Sequence, residues 1–112
     1  MAMKQGLRYW GVRAGVVLGL VAVSPVTLAH NPVAQCEYVN DHTIRCQGGY
    51  SDGSLAPGVT MDVISYEEEI LIPGELDADS RIEFEKPDGE FYILFDAGPG
   101  HVFEIDYTGI AP

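Results

Sequence analysis

The chain contains 112 residues, in which 17 Asp and Glu outnumber six Lys and Arg to give a formal net charge of −11. A surface this acidic repels nucleic acid and anionic lipid, which excludes both as partners. The length is enough for one small domain and no more.

The first 29 residues have the pattern of a secretory signal peptide. Three basic residues lie among the first 13, an apolar run of ten follows at 14–23, and small residues at 24–29 form a cleavage segment. The apolar run is too short to span a bilayer. We therefore expect export to the periplasm or beyond, cleavage after Ala29, and a mature domain of residues 30–112 that is not embedded in a membrane.

Cleavage at this point makes His30 the first residue of the mature protein. Its α-amine and an imidazole nitrogen can close a chelate ring on a transition metal, and the amine pKa of about 7.7–8.0 lets a metal displace its proton near neutral pH. The mature part keeps three basic residues against all 17 acidic ones, a net charge of −14 that attracts cations. The alternative is an ordinary first residue with no ligand role.

The mature part contains two cysteines, Cys36 and Cys46, with a predicted hairpin tip between them at 40–43. An even number of cysteines in an exported chain favours a disulfide. Two cysteines about five residues either side of a tip can lie opposite each other across the ladder. We predict a Cys36–Cys46 disulfide, since two thiols without a second pair are a weak zinc signal.

Short β-rich runs alternate with Gly and Pro turns throughout the mature part, the pattern of an all-β sandwich or barrel. Alternation of apolar and polar residues predicts buried faces, for example Phe91, Ile93 and Phe95 on one strand. The seven predicted strands are Val33–Val39, Thr43–Tyr50, Val59–Ser65, Glu68–Ile72, Arg81–Glu85, Phe91–Asp96 and His101–Tyr107.

Three segments carry a resemblance to known families. The run 49–63 resembles the first half of a carboxypeptidase-regulatory-like, transthyretin-like β-sandwich. Ala29-His30, the Tyr-Ser-Asp-Gly turn at 50–53 and the turn from Asp96 to His101 resemble, more narrowly, the small periplasmic component of energy-coupling-factor uptake systems for nickel or cobalt. The chain has Pro99 where that group usually has methionine and Val102 where it has a basic residue, so one soft ligand is missing.

The resemblance implies a fold, a cargo and a partner. The expected fold is a seven-stranded immunoglobulin-like or transthyretin-like Greek-key sandwich. The expected cargo is nickel or cobalt, with copper as an alternative, and the expected partners are subunits of a membrane metal transporter.

Strand geometry indicates which histidines can share a metal. His42 lies at the hairpin tip, a strand length of about 25–30 Å from His30, which excludes it. His101 opens the last predicted strand and returns to the end where the mature chain begins. We therefore predict a metal site formed by His30 and His101, whose three nitrogens suit Ni(II) or Cu(II), with oxygen from water or a carboxylate. The candidate carboxylates are Asp52, Asp96 and Glu75.

Two other functions remain open at this point. An N-terminal histidine with a second histidine also describes copper enzymes that cleave polysaccharides oxidatively, but 83 residues leave little room for the broad substrate face that they need. No catalytic arrangement of acids, serine and histidine can be singled out, and we predict that the protein is not an enzyme. The main alternative is a metal-free structural or protein-binding module of the carboxypeptidase-regulatory-like kind.

Overall fold

The computed structural model describes residues 30–112, so the predicted leader and its cleavage site lie outside the described residues. Within the described range, no helix is long and apolar enough to cross a membrane. Residues 30–112 form seven β-strands followed by a single turn of 3₁₀ helix, Tyr107–Gly109. The strands are β1 (Pro32–Tyr38), β2 (Thr43–Tyr50), β3 (Thr60–Ser65), β4 (Ile70–Ile72), β5 (Arg81–Glu85), β6 (Phe91–Asp96) and β7 (Val102–Asp106).

The strands form two antiparallel sheets, one of three strands in the order β1-β2-β5 and one of four in the order β4-β3-β6-β7. The chain crosses between the sheets after β2, after β4 and after β5, while β1–β2, β3–β4 and β6–β7 are hairpins. Crossings of this kind are typical of Greek-key sandwiches. The predicted all-β, seven-stranded sandwich is thus confirmed.

The core lies between the two sheets and follows the predicted alternation. Phe91, Ile93 and Phe95 of β6 have no exposed surface, and they face Ile44 and Cys46 of β2, which are equally buried. Burying a side chain such as phenylalanine contributes roughly 1.5–3 kcal/mol to stability. β6 therefore anchors the four-stranded sheet on the three-stranded one.

The first and last strands close the same side of the sandwich. After the 3₁₀ turn the chain runs parallel to β1, where Ala111 donates its N–H to the carbonyl of Cys36 at 3.0 Å and accepts the N–H of Tyr38 at 2.9 Å. Pro32, which has no N–H to donate, begins this edge strand. The C-terminal segment is thereby paired with the second half of β1.

The fourth strand begins later than the sequence pattern predicts, at Ile70 instead of Glu68. Glu68 has a φ of 67°, in the left-handed region, and its N–H bonds to the carbonyl of Ser65 at 2.9 Å. The two bonds of Ser65, to Glu68 and to Glu69, make this segment a hairpin turn. A strand-like composition was therefore overridden by the turn that the hairpin needs.

Cys36 and Cys46 form the predicted disulfide across the β1–β2 ladder. They are direct register partners with Cα atoms 4.0 Å apart, and both are buried in the core. Closing this loop contributes about 3 kcal/mol in the chain-entropy model. A disulfide fits an oxidising, extracellular compartment.

Candidate functional site

Reciprocal hydrogen bonds fix the beginning of the domain against the end of β2. Ser51 donates its N–H to the carbonyl of Asn31 at 2.8 Å, and Asn31 donates its N–H to the hydroxyl oxygen of Ser51 at 3.2 Å. Asn31 directly follows His30, and Ser51 directly precedes Asp52. These two bonds therefore hold His30 and Asp52 side by side.

The imidazole of His30 and the carboxylate of Asp52 are in direct contact, with Nδ1 2.8 Å from Oδ2. The two side chains are 58% and 42% exposed, and a pair this open to water contributes little to stability. Its effect is positional, because it fixes the direction of the His30 ring. The edge of that ring also faces Tyr50, with ring centroids 6.5 Å apart.

The other oxygen of Asp52 is held by its own turn. Ser54 donates its N–H and its hydroxyl to Oδ1 of Asp52, at 3.0 and 2.6 Å. The hydrogen bonds from the Ser54 side chain and backbone lower the pKa of Asp52 below 3.8, and the nearby His30 lowers this pKa further. The carboxylate is therefore charged at neutral pH and points Oδ2 at His30.

Two glycines make this turn possible. Gly53 has a φ of 91°, a left-handed angle that favours glycine. A Cβ at Gly49 would lie 2.9 Å from the carbonyl oxygen of Ser54, closer than real Cβ atoms approach. The Ser-Asp-Gly-Ser sequence thus forms a turn whose backbone packs directly on the end of β2.

His101 directly precedes β7, which begins one residue later than the sequence pattern predicts, and it is exposed. Its Nδ1 lies 3.1 Å from the carbonyl oxygen of Pro99. A carbonyl oxygen can only accept, so Nδ1 is the donor in this contact. Histidines that bind metals commonly donate their second nitrogen to a backbone carbonyl in this way.

The strand registers place His30 and His101 at the same end of the sandwich. Pro32 pairs with Tyr50 beside the start of β1, and the rings of Tyr50 and Phe95 meet across the sheets with centroids 6.4 Å apart. The turn before His101 follows directly from β6, which carries Phe95. His42 lies at the opposite end, in the β1–β2 turn.

His30 contacts the carboxylate of Asp52, and His101 contacts the carbonyl of Pro99. Among residues 30–112, no group of three or more His, Cys, Asp or Glu side chains is placed to hold a metal ion. Of the three candidate carboxylates, Asp52 is the one in contact with a histidine.

The sequence did not indicate a second polar cluster, on the outer face of the four-stranded sheet. Tyr66 donates its hydroxyl to Asp106, and this hydrogen bond raises the pKa of Tyr66 to about 12. Tyr107 donates to Glu90 at 2.9 Å, which raises the pKa of Tyr107 in the same way. The raised pKa values keep both tyrosines neutral at physiological pH.

No protein-family model, curated protein or solved structure matches the chain. A function is therefore proposed from the fold and from the contacts at the His30 end of the sandwich.

Proposed function

We propose that the mature protein is an exported accessory protein that binds a divalent transition metal, nickel or cobalt with copper as an alternative, and passes it to a membrane uptake transporter. The metal is held at the His30 end of the sandwich. The α-amine and imidazole of His30 form a chelate, and His101 is the second histidine. Cleavage after Ala29 creates the amine, so the site exists only in the processed chain.

The observation that supports this proposal is the fixed position of His30. Its ring is bound by Asp52 at 2.8 Å, and its neighbour Asn31 is tied to Ser51 by two hydrogen bonds. The first residue of an exported protein normally moves freely, because chain ends are poorly ordered unless tied down. A tethered histidine at the new terminus loses less conformational entropy when a metal binds it.

The charge of the domain supports the same proposal. Residues 30–112 carry three basic and 17 acidic side chains. The resulting potential raises the local concentration of cations and speeds their association. The site is also exposed, which a protein needs in order to pass a metal to a partner.

Calorimetric nickel titration of the processed protein tests the proposal. The matched control carries one extra residue before His30, which moves the free amine out of chelate range and leaves the fold intact. We expect one nickel per chain in the processed protein and much weaker binding in the extended one, because the extended chain loses a directly bound amine. Equal affinity in the two proteins would reject the proposed site.

Copper is a poor probe of the biological cargo. Nitrogen ligands bind Cu(II) more tightly than Ni(II) or Co(II) in nearly every site, following the Irving–Williams order. Cargo identity is better tested in cells, by measuring nickel and cobalt uptake with and without the exported protein. Uptake that is independent of the protein would contradict a transport role.

The second candidate is a metal-free protein-binding module, and a groove of about 600 Å³ between β1 and β7 favours it. Arg45 and Arg81, two of the three basic residues of the mature chain, lie along this groove beside Phe103 and Glu104. On this alternative, changing both His30 and His101 to alanine leaves partner binding intact, whereas Arg81→Glu weakens it.

A further inference from the structure

The contact between His30 and Asp52 bears on how a metal would be held. A chelate ring between the His30 amine and its own imidazole closes through Nδ1, because Nε2 lies on the far side of the ring. Nδ1 is also the nitrogen that lies 2.8 Å from Oδ2 of Asp52. A metal that enters the chelate must therefore replace the proton that these two atoms share.

The spacing of the two atoms fits a pair of neighbouring ligands. Metal–nitrogen bonds of about 2.0–2.1 Å and metal–oxygen bonds of about 2.0–2.2 Å, set at a right angle, place the two ligand atoms about 2.9 Å apart. The observed separation of His30 Nδ1 and Asp52 Oδ2 is 2.8 Å. A metal can bind both atoms by small rotations of the two side chains.

The Asp52 carboxylate is also held where it is. Its Oδ1 accepts two hydrogen bonds from Ser54, and its backbone neighbour Ser51 is bonded to Asn31. Moving the carboxylate away from an incoming metal would break the bonds to Ser54.

We infer that Asp52 is a direct metal ligand through Oδ2, in a set made of the His30 amine, His30 Nδ1 and Asp52 Oδ2. This inference rests on the proposed function and makes it more specific. The set combines two nitrogens with one hard oxygen, which suits divalent Ni(II) or Co(II) better than soft Cu(I). The site then needs His101 or water only to complete its coordination.

A different arrangement predicts a different role for Asp52. If the metal binds Nε2 of His30, Asp52 keeps its hydrogen bond to Nδ1 and only orients the ring, as carboxylates behind metal-bound histidines do. In that case the amine is not a ligand, and an extra residue before His30 has little effect. The two arrangements can therefore be separated by experiment.

The test compares Asp52→Asn with Asp106→Asn by nickel calorimetry on chains that begin at His30. Asp106 is a matched control because it also caps a turn, accepting the N–H of Thr108 at 3.1 Å, and the same charge is removed at the end of β7 that lies away from His101. We expect Asp52→Asn to weaken binding by at least the roughly 10–100-fold that loss of a group supporting a ligand costs, and Asp106→Asn to weaken it by less than about threefold. Thermal unfolding of both variants checks that the fold is kept.

A second measurement reports the ligand atoms directly. With Cu(II) as the probe, Asp52→Asn shifts the parallel g value of the electron paramagnetic resonance spectrum, and Asp106→Asn leaves it unchanged. Ser54→Ala keeps the carboxylate but frees its Oδ1, and weakens nickel binding by a smaller factor than Asp52→Asn does.

Equal losses of affinity in Asp52→Asn and Asp106→Asn, with unchanged spectra, overturn the inference because only charge is then involved. That outcome leaves the proposed function standing as long as the extra residue before His30 still weakens binding. Failure of the extended chain to bind differently, measured with Asp52 intact, rejects the proposed function itself.

Discussion

Two hairpins of this domain each place an aspartate and a histidine at the same end of the sandwich, in different ways. The β6–β7 hairpin does so through its turn, where Asp96 accepts the N–H of Gly98 and His101 faces the carbonyl of Pro99. The β1–β2 hairpin does so at its open end, where His30 and Asp52 meet across 22 residues of sequence. The first arrangement is local, and the second depends on the whole hairpin.

The two hairpins differ in the contacts that position their aspartate and histidine. In the β6–β7 turn, the aspartate and the histidine each bond to backbone groups within two residues. At the open end of β1–β2, the disulfide and the two bonds between Asn31 and Ser51 keep both strands in register. Both turns contain an aspartate. Only at the open end of β1–β2 does a long-range contact bring a histidine, His30, onto that aspartate.

The largest expected effect comes from removing the disulfide that the β6–β7 hairpin lacks. Replacing Cys36 and Cys46 with alanine removes a covalent link that closes a loop of about 11 residues, which we expect to cost about 3 kcal/mol in the free energy of unfolding. Urea unfolding of the oxidised protein and of the double variant measures the difference.

Hydrogen exchange shows which hairpin depends on that link. In the double variant we expect faster exchange of β1 and β2 amides than of β6 and β7 amides, because the cysteines join only the first pair of strands. The reduced wild-type protein serves as the control and should match the variant. A loss below about 1 kcal/mol, or equal acceleration in both hairpins, contradicts this account of the open end.

Much of this architecture follows from local patterns in the sequence. Alternation predicted the buried faces of β6, and the position of Cys36 and Cys46 either side of a tip predicted their bond. The same geometry correctly placed His42 away from the other histidines. Each of these predictions depends on strand period or hairpin symmetry, which a single sequence records.

The remaining features depend on contacts between distant residues. The turn that delays β4 requires a left-handed Glu68, an angle that its residue type does not favour. The polar run Asp77-Ala78-Asp79-Ser80 reads as an ordinary loop, although Ser80 is fully buried. The Ser-Asp-Gly-Ser motif predicts a turn at Asp52, but the partner of its second oxygen is set by the fold.

Ser80 provides the second test, because its side chain forms a hydrogen bond with the loop that contains Asp52. Its hydroxyl oxygen accepts the N–H of Ala56 at 2.6 Å in a buried position. Ser80→Ala leaves that N–H without a partner, which we expect to cost about 1–3 kcal/mol in the free energy of unfolding. The β6–β7 turn, which bonds to itself, should keep its hydrogen-exchange protection.

Ser54→Ala is the control for Ser80→Ala, since its hydroxyl lies in the same loop but is exposed. We expect a change within about 0.5 kcal/mol for this variant. Ser80→Gly adds a further comparison, because it removes the same hydroxyl while relieving the left-handed φ of 61°. If Ser54→Ala and Ser80→Ala destabilise equally, the buried bond does not anchor the loop.

The smallest expected effect concerns the pKa of Asp52, and whether the Ser54 hydrogen bonds or the contact with His30 lowers it more. Hydrogen bonds from Ser54 are the largest cause of the lowered pKa of Asp52, and His30 contributes less. A carboxylate with a lowered pKa stabilises the fold above its unfolded value of about 3.9, and this contribution is lost as the pH falls through the folded pKa. Ser54→Ala should therefore raise the pKa of Asp52 more than His30→Ala does.

Carbon-13 NMR titration of the Asp52 carboxyl group between pH 6 and pH 2 measures both shifts. With Ser54→Ala, the stabilisation that Asp52 provides should be smaller and should be completely lost at a higher pH than in the wild-type protein, because the folded pKa of Asp52 then lies closer to the unfolded value. The opposite ranking, with His30→Ala giving the larger rise, would mean that the long-range pair and not the turn sets the charge of Asp52. The open end of the β1–β2 hairpin would then differ from the β6–β7 turn in its electrostatics as well as in its geometry.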